Sequence, residues 1–323
     1  MNRIDFVNAS LEEKIKWYKD KENQEPKKHF IHANEKIDSI LNISRNGFPK
    51  GSEINIKEIN DILKFHDGNL IAVTGYSFHG KSHMIEQILC NLMCLYKKKV
   101  GYYAAESQTK ITFMRSIEII LASQIQLANE NEIIEVSKFL NDKMYVINTD
   151  NGLLTQEKLF EHIKIAFSME NVDYFLIDNA STIEDLATDD KQQIRKFLNE
   201  LNLIKKTYNK TIIIVAHPTK PYGKAEKIDG YKISGAAEWF NLVDVGITIF
   251  RDFDLGFSEF YVWKCKNYWE GKVGTATLNF DYFTRRFFGV NNDKSPMLKF
   301  APVKHQIPTV LIDLSEFEYD IPF

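Results

Sequence analysis

Eight consecutive residues of the chain have the types and spacing that bind a phosphate group. They fit the pattern G-x-x-x-x-G-K-[ST] at every position. The glycines let successive backbone N–H groups turn towards a phosphate, and the N-terminus of the following helix adds partial positive charge. The lysine supplies a cation for the β- and γ-phosphates, and the serine hydroxyl is suited to Mg²⁺. The predicted site for ATP and Mg²⁺ comprises Gly75, Tyr76, Ser77, Phe78, His79, Gly80, Lys81 and Ser82.

Two carboxylates and a histidine follow short apolar runs farther along the chain. Asp178 ends the run YFLID, Glu106 follows GYYAA and His217 follows IIIVA. Ligands of open α/β sheets gather at the carboxyl ends of strands, so Asp178 is predicted to hold Mg²⁺. Glu106 is predicted to be the base that polarises the attacking water, and His217 to sense the γ-phosphate. The alternatives are a strand-ending Asp in a turn, a solvated Glu and a structural His.

The elements that must position these residues alternate between strand and helix from about residue 61 to 290. The early apolar runs are nearly continuous, as in a parallel sheet that is buried on both faces. The late runs lack long intervening helices, which predicts antiparallel hairpins at the sheet edge. The sequence therefore predicts an α/β fold with a mostly parallel sheet flanked by helices. Strands are expected at 70–74, 100–105, 174–177, 212–216, 245–250, 259–263 and 276–280, and helices at 83–96, 111–121, 156–167 and 192–207.

The two ends of the chain differ from this core in composition. Residues 1–60 are polar and include an amphipathic helix pattern at 11–21, so they are expected to form either a loose leader or an arm that docks on a neighbouring subunit. Residues 291–323 are expected to form a tail that ends in the acidic sequence EFEYDIPF. The predicted organisation is an N-terminal arm or linker (1–60), an ATPase core (61–290) and a C-terminal tail (291–323).

Charge and cysteine usage limit the class of protein. The 41 Lys and Arg against 44 Asp and Glu give a net charge of −3, so any nucleic-acid contact must come from local basic loops. Cys90 and Cys94 lie four residues apart among apolar neighbours and are expected to be buried, without a metal site. No apolar run approaches the roughly 18 residues that span a bilayer. We expect a protein that has no membrane contact and works in the cytoplasm, or in a host cytoplasm if a phage encodes it.

The motifs GYSFHGKS, YYAAE, YFLIDN and IIIVAHPTKP occur in this order and are followed by ISGAAEW. In this combination the chain, over roughly residues 45 to 290, resembles the helicase half of Twinkle-type and phage primase-helicase proteins. These form a branch of the DnaB-like group in the RecA superfamily. The resemblance implies a RecA-like P-loop NTPase core and a homo-oligomer, commonly a hexameric ring. Such a ring threads single-stranded DNA, moves 5′ to 3′ and hydrolyses ATP at subunit interfaces during DNA replication.

The resemblance also implies a cation that acts on the neighbouring subunit. The family usually places Lys-x-Arg near the late hairpin, where this sequence has Lys264-Cys265-Lys266. Lys266 is therefore expected to reach into the neighbour's active site, because a lysine stabilises developing negative charge although it lacks the planar fork of arginine. Arg251 is an alternative trans cation or a base-contacting residue.

The loop that follows His217 resembles a DNA-tracking loop. Cations for the backbone and rings for the bases are what a channel for single-stranded DNA needs, although a charged surface loop is the alternative. The loop carries the candidate DNA-binding residues Lys220, Lys224, Lys227 and Lys232, together with Tyr222 and Tyr231.

The ends of the chain leave other functions open. Residues 1–45 are too short for the primase half of the family, so we expect it to be absent. The terminal DIPF resembles the tip of bacterial single-stranded-DNA-binding proteins, which implies docking on replication or repair proteins. A RecA-like recombination or repair ATPase is one alternative. An ATP-binding protein that binds or loads on single-stranded DNA and recruits partners through its tail is another.

Overall fold

The computed structural model describes residue 13 and five stretches of the chain: 30–150, 152–219, 227–234, 237–291 and 293–298. Most of the predicted helix at 11–21, the lysines Lys220 and Lys224, and the tail from 299 with its DIPF end lie outside the described residues. None of the described helices is both long and apolar enough to cross a membrane.

In the described part of the chain, nine strands form one sheet at the centre of the fold. Every residue of β1 (Leu70–Thr74) and β5 (Thr211–Val215) is buried, because helices cover both faces of the sheet. The other strands are β2 (Val100–Ala104), β3 (Met144–Val146), β4 (Tyr174–Asp178), β6 (Val245–Arg251), β7 (Ser258–Cys265), β8 (Gly274–Asp281) and β9 (Arg286–Phe288). The spatial order is β3-β2-β4-β5-β1-β6-β7-β8-β9. The strands from β3 to β6 in this order pair in parallel, and β6 to β9 pair antiparallel.

Helices pack on both faces of this sheet and divide the core in two. Alternate residues of β1 point to opposite faces, so Ile71 and Val73 join one apolar cluster and Leu70 and Ala72 the other. The first cluster packs against α3, α4 and α5, and the second against α6, α7 and α8. The helices are α1 (Ile37–Asn46), α2 (Lys57–Asn60), α3 (Lys81–Tyr96), α4 (Thr109–Leu121), α5 (Glu130–Lys143), α6 (Gln156–Ser168), α7 (Lys191–Tyr208) and α8 (Ala237–Leu242).

The predicted α/β class, with a mostly parallel sheet and late antiparallel strands, is confirmed. The predicted strands and helices are present, and their ends differ from the observed ends by no more than two residues. The short edge strands β3 and β9 were not predicted. Each has three residues, which is too short for an apolar run or an alternation to stand out.

Residues on both sides of the predicted core boundaries pack into the same core. Ile54, Ile56 and Ile59 are buried in the cluster that covers α3. On the other side, the backbone N–H of Met297 donates to the carbonyl of Ile120 at 2.8 Å. The division at residues 61 and 290 stays a prediction. Helix α1, by contrast, buries none of its residues against the rest of the described chain.

A buried ion pair connects α7 to the starts of two central strands. The ammonium of Lys205 donates to the Asp244 carboxylate, and both side chains are buried. The same carboxylate accepts the backbone N–H of Leu70, the first residue of β1, at 2.9 Å. Burial lowers the pKa of Lys205, and the bond to Asp244 opposes this shift. The pair therefore holds α7 and the amino ends of β1 and β6 together.

We expect Lys205→Met to lower the free energy of unfolding by about 3 kcal/mol, because it leaves a buried carboxylate without its buried cation. Urea unfolding followed by circular dichroism measures the change. Lys57→Met is the matched control, since the Lys57–Asp61 pair is exposed and should contribute nothing measurable. Equal stabilities of the two variants would contradict this role of the buried pair.

Candidate nucleotide-binding and catalytic site

The carboxyl ends of five neighbouring parallel strands form one edge of the sheet. In the order β2-β4-β5-β1-β6, these ends are followed or closed by Glu106, Asp178, His217, the P-loop (75–82) and Arg251. The register aligns them, with Ala104 opposite Asp178 and Val73 opposite Val215. The fold thus brings these predicted residues to a single edge, where α/β proteins bind their ligands.

The P-loop backbone passes so close to β6 that its first residue must be glycine. Gly75 has a φ of 140°, and a Cβ at this position would lie 2.2 Å from the carbonyl oxygen of Ile249. Gly80 has a φ of 85° immediately before α3, in the left-handed region that glycine adopts without strain. These two glycines let the loop turn around a phosphate and present the N-terminus of α3 to it.

Lys81 is buried at the first position of α3, and its ammonium donates to the carbonyl of Tyr76 at 2.8 Å. Burial lowers the pKa of Lys81, while the nearby carboxylates of Asp178 and Glu106 raise it. A desolvated cation that is held by a backbone carbonyl gains a strong partner when a phosphate oxygen enters the loop. The lysine therefore fits a nucleotide phosphate.

The donor set beside Lys81 fits Mg²⁺. Burial raises the pKa of the Asp178 carboxyl, and its hydrogen bond with the Ser82 hydroxyl opposes that shift. Mg²⁺ prefers oxygen ligands and takes only one or two from protein when phosphates and water supply the rest. Ser82 and Asp178 would hold it.

Asn179 connects the predicted base to the predicted sensor. Its side-chain Nδ2 donates to Glu106 Oε1 at 2.5 Å and lies 2.9 Å from His217 Nε2. The Oδ1 of Asn179 accepts the backbone N–H of Ser181 at 3.0 Å, which fixes the orientation of the amide. This amide nitrogen therefore faces both the Glu106 carboxylate and the His217 ring. Glu106 Oε1 lies 3.6 Å from His217 Nε2.

Asn179, which the sequence did not single out, lies at the centre of this edge. The available signal was the motif YFLIDN, in which two polar residues follow a buried strand. The identity of the partners could not be read from it, because Glu106 and His217 are distant in sequence and meet only through strand order.

The loop of residues 218–233 leaves the sheet edge at His217 and returns to it. An isolated β-bridge joins Pro218 to Ile233, and the carbonyl of His217 accepts the backbone N–H of Ser234 at 3.3 Å. Movement of the two ends of this loop would therefore also move the backbone of His217, the predicted sensor.

The described lysines of this loop differ in their surroundings. Lys232 is exposed. Lys227 Nζ lies 3.1 Å from a carboxylate oxygen of Glu259 and 5.1 Å from the ring centre of Tyr261, so it is paired on the sheet surface. A nucleic-acid backbone would have to displace Glu259 to pair with Lys227.

Arg251 lies at the P-loop edge of its own chain. Its backbone N–H donates to Nδ1 of His79 at 2.9 Å, and its guanidinium donates to the Tyr282 hydroxyl at 2.8 Å. The guanidinium also lies 5.3 Å from the ring centre of Phe253. Burial, with Lys81 and Arg251 nearby, lowers the pKa of His79, which keeps the imidazole neutral. The exposed rings of Tyr282 and Phe253, which the sequence did not single out, offer flat surfaces beside the P-loop.

Lys266 lies at the opposite end of the strands, where the parallel strands begin, and we call this end of the sheet the far edge. It follows β7, which runs antiparallel to β6 and pairs Cys265 with Val245, the first residue of β6. Strand β1 separates the two edges and has five residues, about 17 Å at about 3.3 Å each. Lys266 Nζ lies 3.4 Å from Asp244 Oδ1 and cannot reach its own P-loop. Its action on another subunit stays a prediction.

Comparisons with known proteins agree with this geometry. No model of a known protein family matches the chain. The Twinkle homolog protein, chloroplastic/mitochondrial, of Arabidopsis thaliana is 25% identical over 259 residues, which cover 74% of this chain and 36% of that protein. The chain thus spans about a third of the length of this curated relative.

Two solved structures share the fold. One of them, described as an ATPase domain, superposes with a TM-score of 0.67 at 13% identity and covers 80% of this chain and 99% of that one. A DnaB-like replicative helicase, described with its interactions with primase, gives a TM-score of 0.66 at 13% identity and covers 81% and 69%. The fold is the RecA-like fold of DnaB-like helicase ATPase domains. The predicted resemblance to this group is confirmed, and that of the DIPF end stays a prediction.

We expect Asn179→Ala to lower the kcat of ATP hydrolysis about 30-fold while the Kd for nucleotide changes less than about twofold. The substitution releases Glu106 from its orientation, and a positioned general base contributes about 10²–10⁴-fold. Steady-state phosphate release and titration with a fluorescent nucleotide separate the two quantities.

Ser181→Ala is the matched control for Asn179→Ala. It removes a hydroxyl that donates to Asn179 Oδ1 but keeps the backbone N–H that donates to the same atom. Its kcat should stay close to wild type. A wild-type kcat in Asn179→Ala would show that the amide does not position the base.

Proposed function

We propose that this protein is an ATP-dependent DNA helicase that moves along single-stranded DNA as a ring of identical subunits. The observation that carries the proposal is the placement of complementary half-sites on opposite edges of one sheet. The P-loop edge holds Glu106, Asn179 and His217, and the far edge holds Lys266. A head-to-tail arrangement brings the far edge of one subunit to the P-loop edge of the next, and such interfaces form a ring when the rotation between subunits closes.

Each residue of the P-loop edge has a distinct part in hydrolysis. Lys81 binds the β- and γ-phosphates, while Ser82 and Asp178 hold Mg²⁺, which neutralises phosphate charge when bound. Glu106 accepts the proton of the attacking water, and Asn179 keeps its carboxylate in place. The Lys266 ammonium of a neighbouring subunit stabilises the charge that develops on the transferred phosphoryl group.

Arg251, Tyr282 and Phe253 are proposed to hold the nucleobase. Their position beside the P-loop and their exposed faces support this assignment. A guanidinium and two rings bind any base by stacking, so this surface favours no particular nucleotide. Arg251 then acts on the nucleotide of its own chain, and Lys266 remains the trans cation.

Single-stranded DNA is the proposed track, and the loop of residues 218–233 its main contact. The loop joins the sheet at His217, so a strand bound to it can influence the catalytic edge directly. Lys232 and the exposed ring of Tyr231 supply a cation and a stacking surface in the described part of the loop. The net charge of −3 agrees with local rather than global contact.

The cellular setting is also part of the proposal. A replicative motor in the cytoplasm, or in a phage-infected cell, would use a hexameric ring and recruit replication or repair proteins through the DIPF end. A head-to-tail interface that fails to close gives a filament instead. Negative-stain images with an ATP analogue and an oligonucleotide separate the ring from the filament of a RecA-like recombinase.

We expect Lys81→Ala to abolish ATP binding, because it removes the P-loop cation, and Glu106→Gln to keep binding but lose turnover by at least about 100-fold. Titration with a fluorescent nucleotide and phosphate release in the presence of oligo-dT measure the two effects. Glu161→Gln, a glutamate on α6, is the control and should behave as wild type. Wild-type turnover in Glu106→Gln would contradict its assignment as the base.

We expect mixtures of Lys266→Ala and Lys81→Ala subunits to regain ATPase activity that neither variant shows alone. The Lys81→Ala chain donates its Lys266 to the intact P-loop of the Lys266→Ala chain. The activity of mixtures at several ratios, with assembly checked by size-exclusion chromatography, measures the effect. Assembled mixtures no more active than the single variants would rule out Lys266 as the trans cation.

A further inference from the structure

Three aromatic rings stack in series between the loop of residues 218–233 and β7. Tyr231 lies in a 3₁₀ turn (Gly230–Lys232) at the return end of the loop. Its ring centre is 4.3 Å from that of Phe240 in α8, and the planes differ by 13°. The Phe240 ring centre lies 5.4 Å from that of Trp263 in β7, at 23°. We refer to Tyr231, Phe240 and Trp263 as the aromatic column.

The inner end of the aromatic column is fixed by a β-bulge and two glycines. The register pairs Gly246 with Lys264 and then Ile247 with Val262, so Trp263 is the extra residue of the bulge. Its ring fills the space beside two glycines. A Cβ at Gly246 would lie 2.2 Å from the nearest ring atom of Trp263, and a Cβ at Gly230 would lie 2.6 Å from it. The indole therefore touches the backbones of β6 and of the loop's return end.

The outer end of the column is open to solvent. Tyr231 is 53% exposed, whereas Trp263 is 5% exposed. A nucleic-acid base or sugar can pack on the free face of Tyr231 without disturbing its contact with Phe240. A group that touches the loop is thus in van der Waals contact, through three rings, with the end of β7.

The end of β7 carries the cations of the far edge. Lys264 directly follows Trp263, and its ammonium lies 5.5 Å from the Phe240 ring centre. The same ammonium donates to the carbonyl of Phe240 at 2.5 Å and to that of Asn241 at 3.3 Å, which ties β7 to the last turn of α8. Lys266 follows Lys264 by two residues. Phe240 therefore contacts Tyr231 of the loop on one side and, on the other, the segment of β7 that leads to Lys266.

We propose that the aromatic column transmits DNA occupancy of the loop to Lys266, so that DNA bound to one subunit controls hydrolysis at its neighbour. This inference rests on the proposed function and names its regulation. Phe240, Trp263 and Lys264 are then positioning residues. A coupling of this kind changes a response about 5- to 150-fold.

The test is Phe240→Leu, which keeps an apolar side chain but removes the ring that joins the two halves of the column. At saturating oligo-dT, DNA stimulation of the ATPase should fall about tenfold, while the DNA-free ATPase rate and the Kd for oligo-dT stay within about twofold of wild type. Phe240→Tyr keeps the ring and should retain stimulation. Phe160→Leu removes a ring stacked on Phe197 on the same face of the sheet and is the matched control.

Mixed assemblies place the effect in one subunit. Phe240→Leu added to the Lys81→Ala chain, which donates the cation, should remove the DNA stimulation of the restored activity. The same change added to the Lys266→Ala chain should leave that stimulation in place. Equal effects in both chains would overturn the proposal, because the column would then act within the hydrolysing subunit.

Three further outcomes are distinguishable. Stimulation that survives Phe240→Leu overturns the column and leaves the proposed function intact. A wild-type ATPase that oligo-dT does not stimulate removes the proposed function and the column together. If Phe240→Leu lowers the melting temperature sharply, Phe240→Met, whose flexible apolar side chain fills irregular space, gives the same comparison with Phe240→Tyr. Loss of DNA-free activity in both the leucine and the methionine variant would overturn the proposal, because the rings would then only pack.

Discussion

The parallel pairing of β1 with β5 on one side and β6 on the other is the constraint on which the site depends. Every predicted residue of the P-loop edge lies at or just beyond the end of a strand, so its position is set by the register of that strand. A slip of one residue would move each side chain to the other face of the sheet. Asp244 secures this register from the far edge, since its carboxylate binds both the first N–H of β1 and the ammonium of Lys205 in α7.

The residues that the sequence identified correctly as neighbours share one property. Asp178, Glu106 and His217 directly follow continuous apolar runs, and the P-loop that contains Lys81 follows another. Such runs predict strand ends without knowledge of partners. The roles of these residues stay predictions, which the proposed variants test. Their meeting at one edge required only that the sheet be parallel, which the same runs indicated.

The residues that the sequence did not identify depend on contacts between distant segments. Asn179 is a plain turn residue until strand order places Glu106 and His217 beside it. Tyr282 reaches Arg251 from the turn between β8 and β9, and β9 was too short to predict. Lys205 lies in an amphipathic helix among other lysines, so its burial against Asp244 follows only from how α7 packs.

The far edge combines a flexible cation with a rigid support. A lysine lacks the planar fork by which an arginine holds a phosphate in a fixed orientation. Lys266 is 64% exposed, and its carboxylate partner already has a buried cation in Lys205, so the ammonium is held weakly where it stands. In the proposed trans role, the direction of the Lys266 side chain is then set by the backbone that carries it. Two residues of β7 fix this backbone. Trp263 lies in the bulge, and the Lys264 ammonium binds carbonyls at the end of α8; both side chains lie against the ring of Phe240. In the proposed mechanism, the lysine at this position and the aromatic column therefore belong to one arrangement, in which DNA on the loop directs a side chain that has little orientational preference of its own.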